Sequence, residues 1–174
     1  KAFSTQGADD AEGVDSTAND ETKAAQVAIS EIFAKWVLAV NERNPSAIAG
    51  LMSGGFIFEY SVQAEEGFRD EDINRNGRLS LKEFMRMIEQ GMLHWEFCET
   101  TVTGEIAGNV QIESASAGNF EFTLAFSSED QSQECGDDDG EPIYATVKKI
   151  NGLWKLVRMS EGFDHRGTPV GSLD

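Results

Sequence analysis

The spacing of apolar residues divides the chain into a helical N-terminal part and a C-terminal part rich in strands. From Glu21 onward, apolar side chains recur every three or four residues, which predicts an amphipathic helix with one buried face. The residues of that face are Ile29, Ile32, Phe33, Trp36, Val37 and Val40. Asn44 and Pro45 are residue types that favour the cap and first turn of a second, short helix running through Leu51 and Met52.

A strand and a third helix are predicted next. In "FIFEYSV" the apolar side chains alternate, which places Glu59 and Tyr60 on opposite faces of one strand. The inward face would hold Phe56, Phe58, Tyr60 and Val62. The third helix runs from about Leu81 to Met92, because Ser80 and Glu83 form an S-x-x-E capping box at its start.

The remaining sequence is typical of antiparallel strands. The predicted strands are "HWEFCETTVTGEI", with Trp95 and Phe97 inward and His94 outward, "NVQIESASA", "NFEFTLAF", "IYATVKKI" and "LWKLVRM". Asn151-Gly152 is a strong two-residue hairpin signal between the last two. The acidic segment "SSEDQSQECGDDDGEP" before them is too polar to be packed.

This order predicts an α+β fold in which a curved antiparallel sheet wraps on a long N-terminal helix plus two shorter helices. The enclosed space would be a conical cavity lined by aromatic residues of the strands around Phe56, Trp95 and Phe120. We divide the chain into a flexible acidic leader (residues 1–20), the cone domain (residues 21–166) and a C-terminal tail (residues 167–174).

The composition of the chain limits the kinds of partner that such a domain could bind. The formal net charge of −17 disfavours nucleic acid and anionic membranes, which both attract positive charge. No apolar run approaches the ~20 residues that span a bilayer. The first residues, "KAFSTQGADD", would suit an organellar protein after removal of a targeting segment, but the compartment stays open. Cys98 and Cys135 could form a disulfide or remain two free thiols.

The element order, the segment "NPSAIAGLM" leading into "GGFIFEY", and the closing "ATVKKINGLWKLVRM" resemble the nuclear transport factor 2-like superfamily. The resemblance covers roughly residues 22–165 and implies a cone fold, frequently dimeric through the sheet. The superfamily contains ketosteroid isomerases, polyketide cyclases, one class of carbonic anhydrases and the association domain of calmodulin-dependent kinase. The fold hosts enzymes and binding modules alike, so it does not imply a function. A histidine-rich stretch is characteristic of the carbonic anhydrase class, and the matching segment here has only His165.

Residues 72–83, "DINRNGRLSLKE", match the EF-hand calcium loop D-x-[DN]-x-[DN]-G-x5-E at every constrained position. The ligand positions hold Asp72, Asn74, Asn76, the Arg78 carbonyl, Ser80 and Glu83, around the turn residue Gly77. Calcium takes six to eight oxygen ligands, which one such loop can supply. The sequence therefore predicts Ca²⁺ as a cofactor, bound by a loop inserted before the third helix.

Two features of the sequence oppose this hypothesis. The segment before the loop, "QAEEGFRDE", lacks the apolar spacing of an entering helix, and no second loop has the pattern. The Ser80–Glu83 capping box also explains part of the match without a metal. Asp72, Asn74 and Asn76 are not explained by the cap, and the calcium hypothesis depends on them.

An enzymatic site would need an acid or base inside the cone. The candidates are Glu59, Tyr60, His94 and Tyr144, with Asp164 and His165 near the C-terminus. A carboxylate desolvated beside aromatic rings could have its pKa raised into a catalytic range. The two histidines have no spacing that suggests zinc.

Three hypotheses follow for the function. The first is a non-enzymatic, calcium-binding assembly module whose loop orders on Ca²⁺ and tunes a surface for a protein partner or a second copy. The alternative is an isomerase, cyclase or lyase acting on a small apolar ligand in the cavity. The third is a structural subunit of a larger complex.

Overall fold

The computed structural model describes residues 2–60, 77–132 and 134–161, with side chains from residue 19 onward. In these residues, helices pack on one face of a curved, seven-stranded sheet, which confirms the predicted α+β class. The helices are α1 (Ala2–Asn41), α2 (Pro45–Gly50) and α3 (Leu81–Phe97). The strands are β1 (Met52–Tyr60), β2 (Arg78–Ser80), β3 (Thr100–Ser114), β4 (Ala117–Ser128), β5 (Asp138–Asp139), β6 (Ile143–Ile150) and β7 (Leu153–Glu161).

Helix α1 begins earlier than the apolar pattern predicted. The sequence placed its start at Glu21, after a flexible leader, whereas the helical backbone begins at Ala2. Extending an existing helix costs less than nucleating one, so a packed segment can carry a helix into residues without an apolar face. None of the described helices is long and apolar enough to cross a membrane.

The short helix α2 is capped as predicted. The Asn44 side chain accepts a hydrogen bond from the Ala47 backbone N–H at 3.1 Å, and Pro45 occupies the first turn. Ile48 is buried on the inner side of this helix. β1 then starts at Met52, which was predicted to lie in the helix, and includes Ser53–Gly55.

Helix α3 is longer than predicted, which corrects the assignment of residues 94–97. His94, Trp95 and Phe97 lie in the last turn of the helix and not in a strand. The helix ends because Glu99 adopts a left-handed backbone conformation (φ 53°), with its N–H donating to the Glu96 carbonyl. This position is usually glycine. Since no glycine stands here, the sequence carried no stop signal at the true end.

The sheet is mixed and not purely antiparallel. Its order is β2-β1-β7-β6-β4-β3, with β5 added to β4, and β1 runs parallel to β7. The predicted β6–β7 hairpin is present, and Asn151 and Gly152 both have positive φ, as a type I′ turn requires. The segments around "TTVTGEI" and "NVQIES", predicted as separate strands, form the single strand β3.

One face of the sheet, here called the inner face, carries the core. Phe33 of α1 lies 4.8 Å from Phe122 and 5.3 Å from Phe120, measured between ring centroids. Helix α1 approaches β3 so closely that a Cβ on Gly104 would stand 2.7 Å from the Phe33 ring. The opposite, outer face carries Glu59, Arg158 and Tyr144.

Candidate functional site

The described half of the predicted calcium loop forms a turn, a strand and a helix start. Gly77 has φ 72°, a backbone conformation that side chains disfavour, and its carbonyl accepts from the Tyr60 N–H at 2.8 Å. β2 follows at once and pairs antiparallel with β1, and α3 begins at Leu81. In an EF-hand loop, the glycine at position six makes the sharp turn and position seven offers its carbonyl. Gly77 and Arg78 hold these two positions.

The capping box predicted at the start of α3 is formed. The Ser80 backbone N–H donates to Glu83 Oε1 at 3.0 Å, and the Glu83 N–H donates to Ser80 Oγ at 3.2 Å. The hydrogen bonds from Ser80, chiefly the one from its backbone N–H, lower the pKa of Glu83. Glu83 therefore stays ionised at neutral pH, as a calcium ligand must be.

Apolar side chains anchor this turn to the core. Leu79 is buried in the middle of β2, beside Phe58 of β1. Phe84, one residue after Glu83, packs against the rings of Phe56 and Phe58 at 5.1 and 5.4 Å. Buried side chains thus stand on both sides of Glu83 in the sequence and fix the backbone that carries it.

The other ligand positions, Asp72, Asn74 and Asn76, lie outside the described residues. Within residues 77–83 the candidate donors are the Arg78 carbonyl, Ser80 and Glu83. Among the residues that the structure describes, no group of three or more His, Cys, Asp or Glu side chains could hold a metal ion. The calcium site is therefore half described and stays a prediction.

Glu59 lies on the outer face of the sheet in an ion pair, and not inside the cone. Its Oε2 accepts from Arg158 Nη2 at 2.8 Å, and its Oε1 is 3.5 Å from Arg78 Nε. The hydrogen bond from Arg158 is the main cause that lowers the pKa of Glu59; burial opposes it. This corrects the expectation of a desolvated carboxylate with a raised pKa, because the two cations favour the charged form.

The other catalytic candidates lie in different places. Tyr60 is on the inner face, where its ring stacks near Phe58 at 6.4 Å. Tyr144 is on the outer face, opposite Ser160 of β7 and two strands away from Glu59. His94 is exposed on α3, with Nε2 3.6 Å from Cys98 Sγ. The structure therefore does not bring these four side chains together, and Asp164 and His165 lie outside the described residues.

Two grooves run along α1. A groove of about 720 Å³ lies between its Ala24–Ala28 segment and the side chains of Lys149 and Trp154. Another, of about 570 Å³, lies between Val27 and the β3 segment around Val110. None of the four catalytic candidates lines either groove.

The disulfide Cys98–Cys135 answers a question that the sequence left open. It joins the residue after α3 to the acidic segment, with the two Cα atoms 5.6 Å apart. Within that segment, the Ser128 N–H donates to Asp137 Oδ1 and Ser128 Oγ donates to the Gly136 carbonyl. The segment predicted to be unpacked is thus attached to the sheet at several points, including the short strand β5.

The fold is shared with solved structures of very different sequence. A scytalone dehydratase-like protein from Novosphingobium aromaticivorans superposes with a TM-score of 0.63 at 16% identity, covering 90% of this chain and 99% of its own. LinA superposes with a TM-score of 0.61 at 13% identity, covering 82% of this chain and 87% of LinA. A protein of unknown function from Pseudomonas putida, described as NTF2-like, superposes with a TM-score of 0.57 at 13% identity. The match covers 87% of this chain and 97% of that protein.

The fold is that of nuclear transport factor 2-like proteins. No family model matches the chain, and neither does any curated protein. At such low identities the likeness establishes the fold and carries no activity with it, since this fold hosts unrelated functions.

Proposed function

We propose that this nuclear transport factor 2-like domain is a calcium-responsive binding module, with the ion held by residues 72–83. The observation that carries the proposal is the local geometry of Gly77–Glu83. A left-handed glycine, a three-residue strand and a helix that starts two residues before the final glutamate follow the course of an EF-hand loop from its sixth to its twelfth position.

The pairing of β2 with β1 supports the hypothesis that this loop can bind calcium without a second EF-hand loop. EF-hand loops normally occur in pairs, and here β1 lies against the strand of the loop. The register sets Glu59 opposite Arg78 and Phe58 opposite Leu79. The cone domain would thus supply the rigid support that a second EF-hand gives elsewhere.

Glu83 would connect the ion to the helix. Its Oε1 is already held by the Ser80 N–H, so the carboxylate is oriented at the first turn of α3 before any ion binds. Ca²⁺ on Glu83 and the Arg78 carbonyl would join residues 72–76 to β2 and α3, and so alter the surface next to them. Only Asp72 and Glu83 contribute charge, so we expect affinity in the weaker, micromolar-to-millimolar part of the EF-hand range.

Isothermal titration of Ca²⁺ into chelator-treated protein tests the site. We expect heat from one ion per chain in the wild type, and a loss of most of it in Glu83→Gln. Glu89→Gln is the matched control, because Glu89 is an exposed glutamate of the same helix and its neutralisation changes the net charge equally. No heat in the wild type, or equal heat in wild type and Glu83→Gln, would remove the calcium proposal.

We propose that the partner of this module is a second copy of the chain, which binds through the outer face to form a homodimer. On this face the Glu59 carboxylate is paired within the chain by Arg158 and Arg78, so its charge does not oppose the approach of a second copy. The Glu59 and Arg158 side chains are 20% and 19% exposed. Sedimentation equilibrium of wild type and Tyr144→Glu tests this: a dimer that the glutamate dissociates supports it, and a monomeric wild type contradicts it.

The second candidate function is that of an enzyme with a ligand-binding cavity. The observation that favours it is the environment of Trp36. This residue is 2% exposed on the inner side of α1, and its Nε1 has no hydrogen-bond partner in the described structure. A buried N–H without an acceptor is costly, and a carbonyl ligand in the cone would satisfy it. A thermal-shift screen of cyclic ketones tests this, with Trp36→Phe as the comparison. Equal shifts in the two proteins would exclude a role for Trp36.

A further inference from the structure

Two apolar side chains stand side by side in solvent at the C-terminal end of α3. Leu93 and Phe97 are 76% and 64% exposed. Residues four apart share one face of a helix, so the two form a continuous apolar strip. Met92, just before Leu93, and Trp95, between Leu93 and Phe97, face the core instead. The strip is therefore a separate surface and not an edge of the core.

Carboxylates lie at the C-terminal end of the helix that carries this strip. The Glu96 side chain is 76% exposed, and Glu99 is exposed just beyond the helix. The acidic segment runs alongside, because the Glu129 N–H donates to the Glu99 carbonyl at 3.3 Å and the Asp130 N–H donates to the Cys98 carbonyl at 3.2 Å. The negative end of the helix dipole points in the same direction.

Among the described residues, Arg43 forms an ion pair with one of these carboxylates, and its guanidinium is largely engaged. Arg43 Nε is 3.5 Å from Glu96 Oε2, and the Arg43 side chain is only 18% exposed. Its Nη2 donates to the Thr100 carbonyl and its Nη1 to the Val40 and Asn41 carbonyls. Because Arg43 is bonded mainly to backbone carbonyls, it neutralises little of the negative charge that these carboxylates present to solvent.

The surface is held in a fixed shape. The disulfide Cys98–Cys135 ties the acidic segment to the end of α3. Beneath it, the buried hydroxyls of Thr100 and Ser128 lie 2.9 Å apart and join β3 to β4. A surface that is already ordered loses little conformational entropy when a partner binds.

We propose that Leu93, Phe97, Glu96, Glu99, Glu129 and Asp130, here called the α3 terminal surface, dock a basic amphipathic protein segment. The apolar side chains of such a segment would cover Leu93 and Phe97, and its Lys or Arg side chains would meet the neighbouring carboxylates. Aromatic anchors with a charged rim of complementary sign are typical of protein interfaces.

Charge argues for this occupant and against a second copy of the chain. Two copies meeting at this surface would bring their carboxylates together, on a chain whose net charge is already −17. Like charges at an interface disfavour the complex. A segment with apolar residues but no cations would leave the rim carboxylates without partners.

Fluorescence anisotropy with a labelled helical peptide tests the proposal. The probe is a designed peptide of about 18 residues, roughly five helical turns, with Leu along one face and Lys on the others. The titration is done in chelator, so that the result does not depend on the calcium site at the other end of α3. We expect saturable binding that Phe97→Ser weakens by about tenfold or more, as for a central interface anchor.

Matched variants separate the apolar and charged contributions. Leu153→Ser controls for Phe97→Ser, because Leu153 is 61% exposed in the β6–β7 hairpin. The pair Glu99→Gln and Glu129→Gln should weaken binding about threefold or more at low salt and reduce its salt dependence. Glu31→Gln with Glu105→Gln, two exposed glutamates of α1 and β3, should do so far less.

Three results would overturn the proposal. The first is equal affinity of the peptide for wild type and Phe97→Ser, with both proteins folded by circular dichroism. The second is binding of poly-lysine as tight as that of the amphipathic peptide, which would reduce the effect to charge. The third is self-association of the wild type that Phe97→Ser abolishes, since the occupant would then be a second copy.

Discussion

The two ends of α3 are built in opposite ways. At the N-terminal end, the chain is held by the reciprocal hydrogen bonds of Ser80 and Glu83, which are exposed to water. At the C-terminal end, a disulfide fastens Cys98 to the acidic segment, and Cys98 has no exposed surface. Hydrogen bonds in solvent can be exchanged for metal ligands, whereas a buried covalent bond cannot. The start of α3 is thus held by exchangeable hydrogen bonds, and its end is held by a covalent bond.

Removing the disulfide should have the largest effect on this comparison. The Cys98→Ala/Cys135→Ala variant should lose about 3–4 kcal/mol of unfolding free energy, because a cross-link across 37 residues restricts the unfolded chain. Urea denaturation of oxidised wild type and the double variant measures this. A reducing agent should lower the stability of the wild type and leave that of the variant unchanged. A loss no larger than that of a cap substitution would mean that the C-terminal end is not the more strongly fixed one.

Removing the cap should have a smaller effect. Ser80→Ala deletes the acceptor of the Glu83 N–H and should cost about 1 kcal/mol, the usual value for an N-cap. Ser80→Thr keeps the hydroxyl and serves as the control, with a loss of a few tenths at most. Thermal unfolding of the three proteins gives the comparison. Equal melting temperatures for Ser80→Ala and wild type would show that packing of Leu79 and Phe84 alone fixes the helix start.

Acid should weaken the N-terminal end by a still smaller amount. The pKa of Glu83 is lowered in the folded state, so its carboxylate stabilises the fold above its unfolded pKa, and this contribution is lost as pH falls through the folded pKa. The difference in unfolding free energy between wild type and Glu83→Gln should therefore be present at pH 7 and shrink below about pH 4. Urea titrations at a series of pH values measure it. A difference that does not change with pH would rule out a charge-dependent cap.

The pH test must keep a second carboxylate constant. Glu59 has a pKa lowered by its hydrogen bond to Arg158, so it also loses its contribution in acid. Both proteins in the comparison retain Glu59, and its effect cancels in the difference. The disulfide does not titrate, so the C-terminal end of α3 gives no such signal.

Local patterns in the sequence predicted much of the fold. Ser80 and Glu83 predicted a capping box, and Asn44 and Pro45 predicted a capped short helix. Asn151-Gly152 predicted a hairpin, and all three features are present. These motifs involve residues within a few positions of each other, and their geometry is set by the backbone between them. They could therefore be recognised without knowledge of the rest of the chain.

The errors came where distant residues decided the outcome. Trp95 and Phe97 alternate as in a strand, yet a helix continuing from Ser80 placed Trp95 against Phe126 and left Phe97 exposed. Glu59 was a candidate base in the sequence, but the parallel pairing of β1 with β7 sets Arg158 beside it. Nothing near Glu59 in the sequence signals that neighbour, because it lies 99 residues away.

The sequence by itself determined the α+β class, the caps and turns, the acidity, and the residues of a calcium loop that stays a prediction. The tertiary structure alone decided the pairing of Cys98 with Cys135, the ion pair of Glu59 with Arg158, and the exposed strip of Leu93 and Phe97. The physical reason is range: caps and turns are fixed by nearby backbone atoms, whereas ion pairs, disulfides and surfaces depend on segments that only the folded chain brings together.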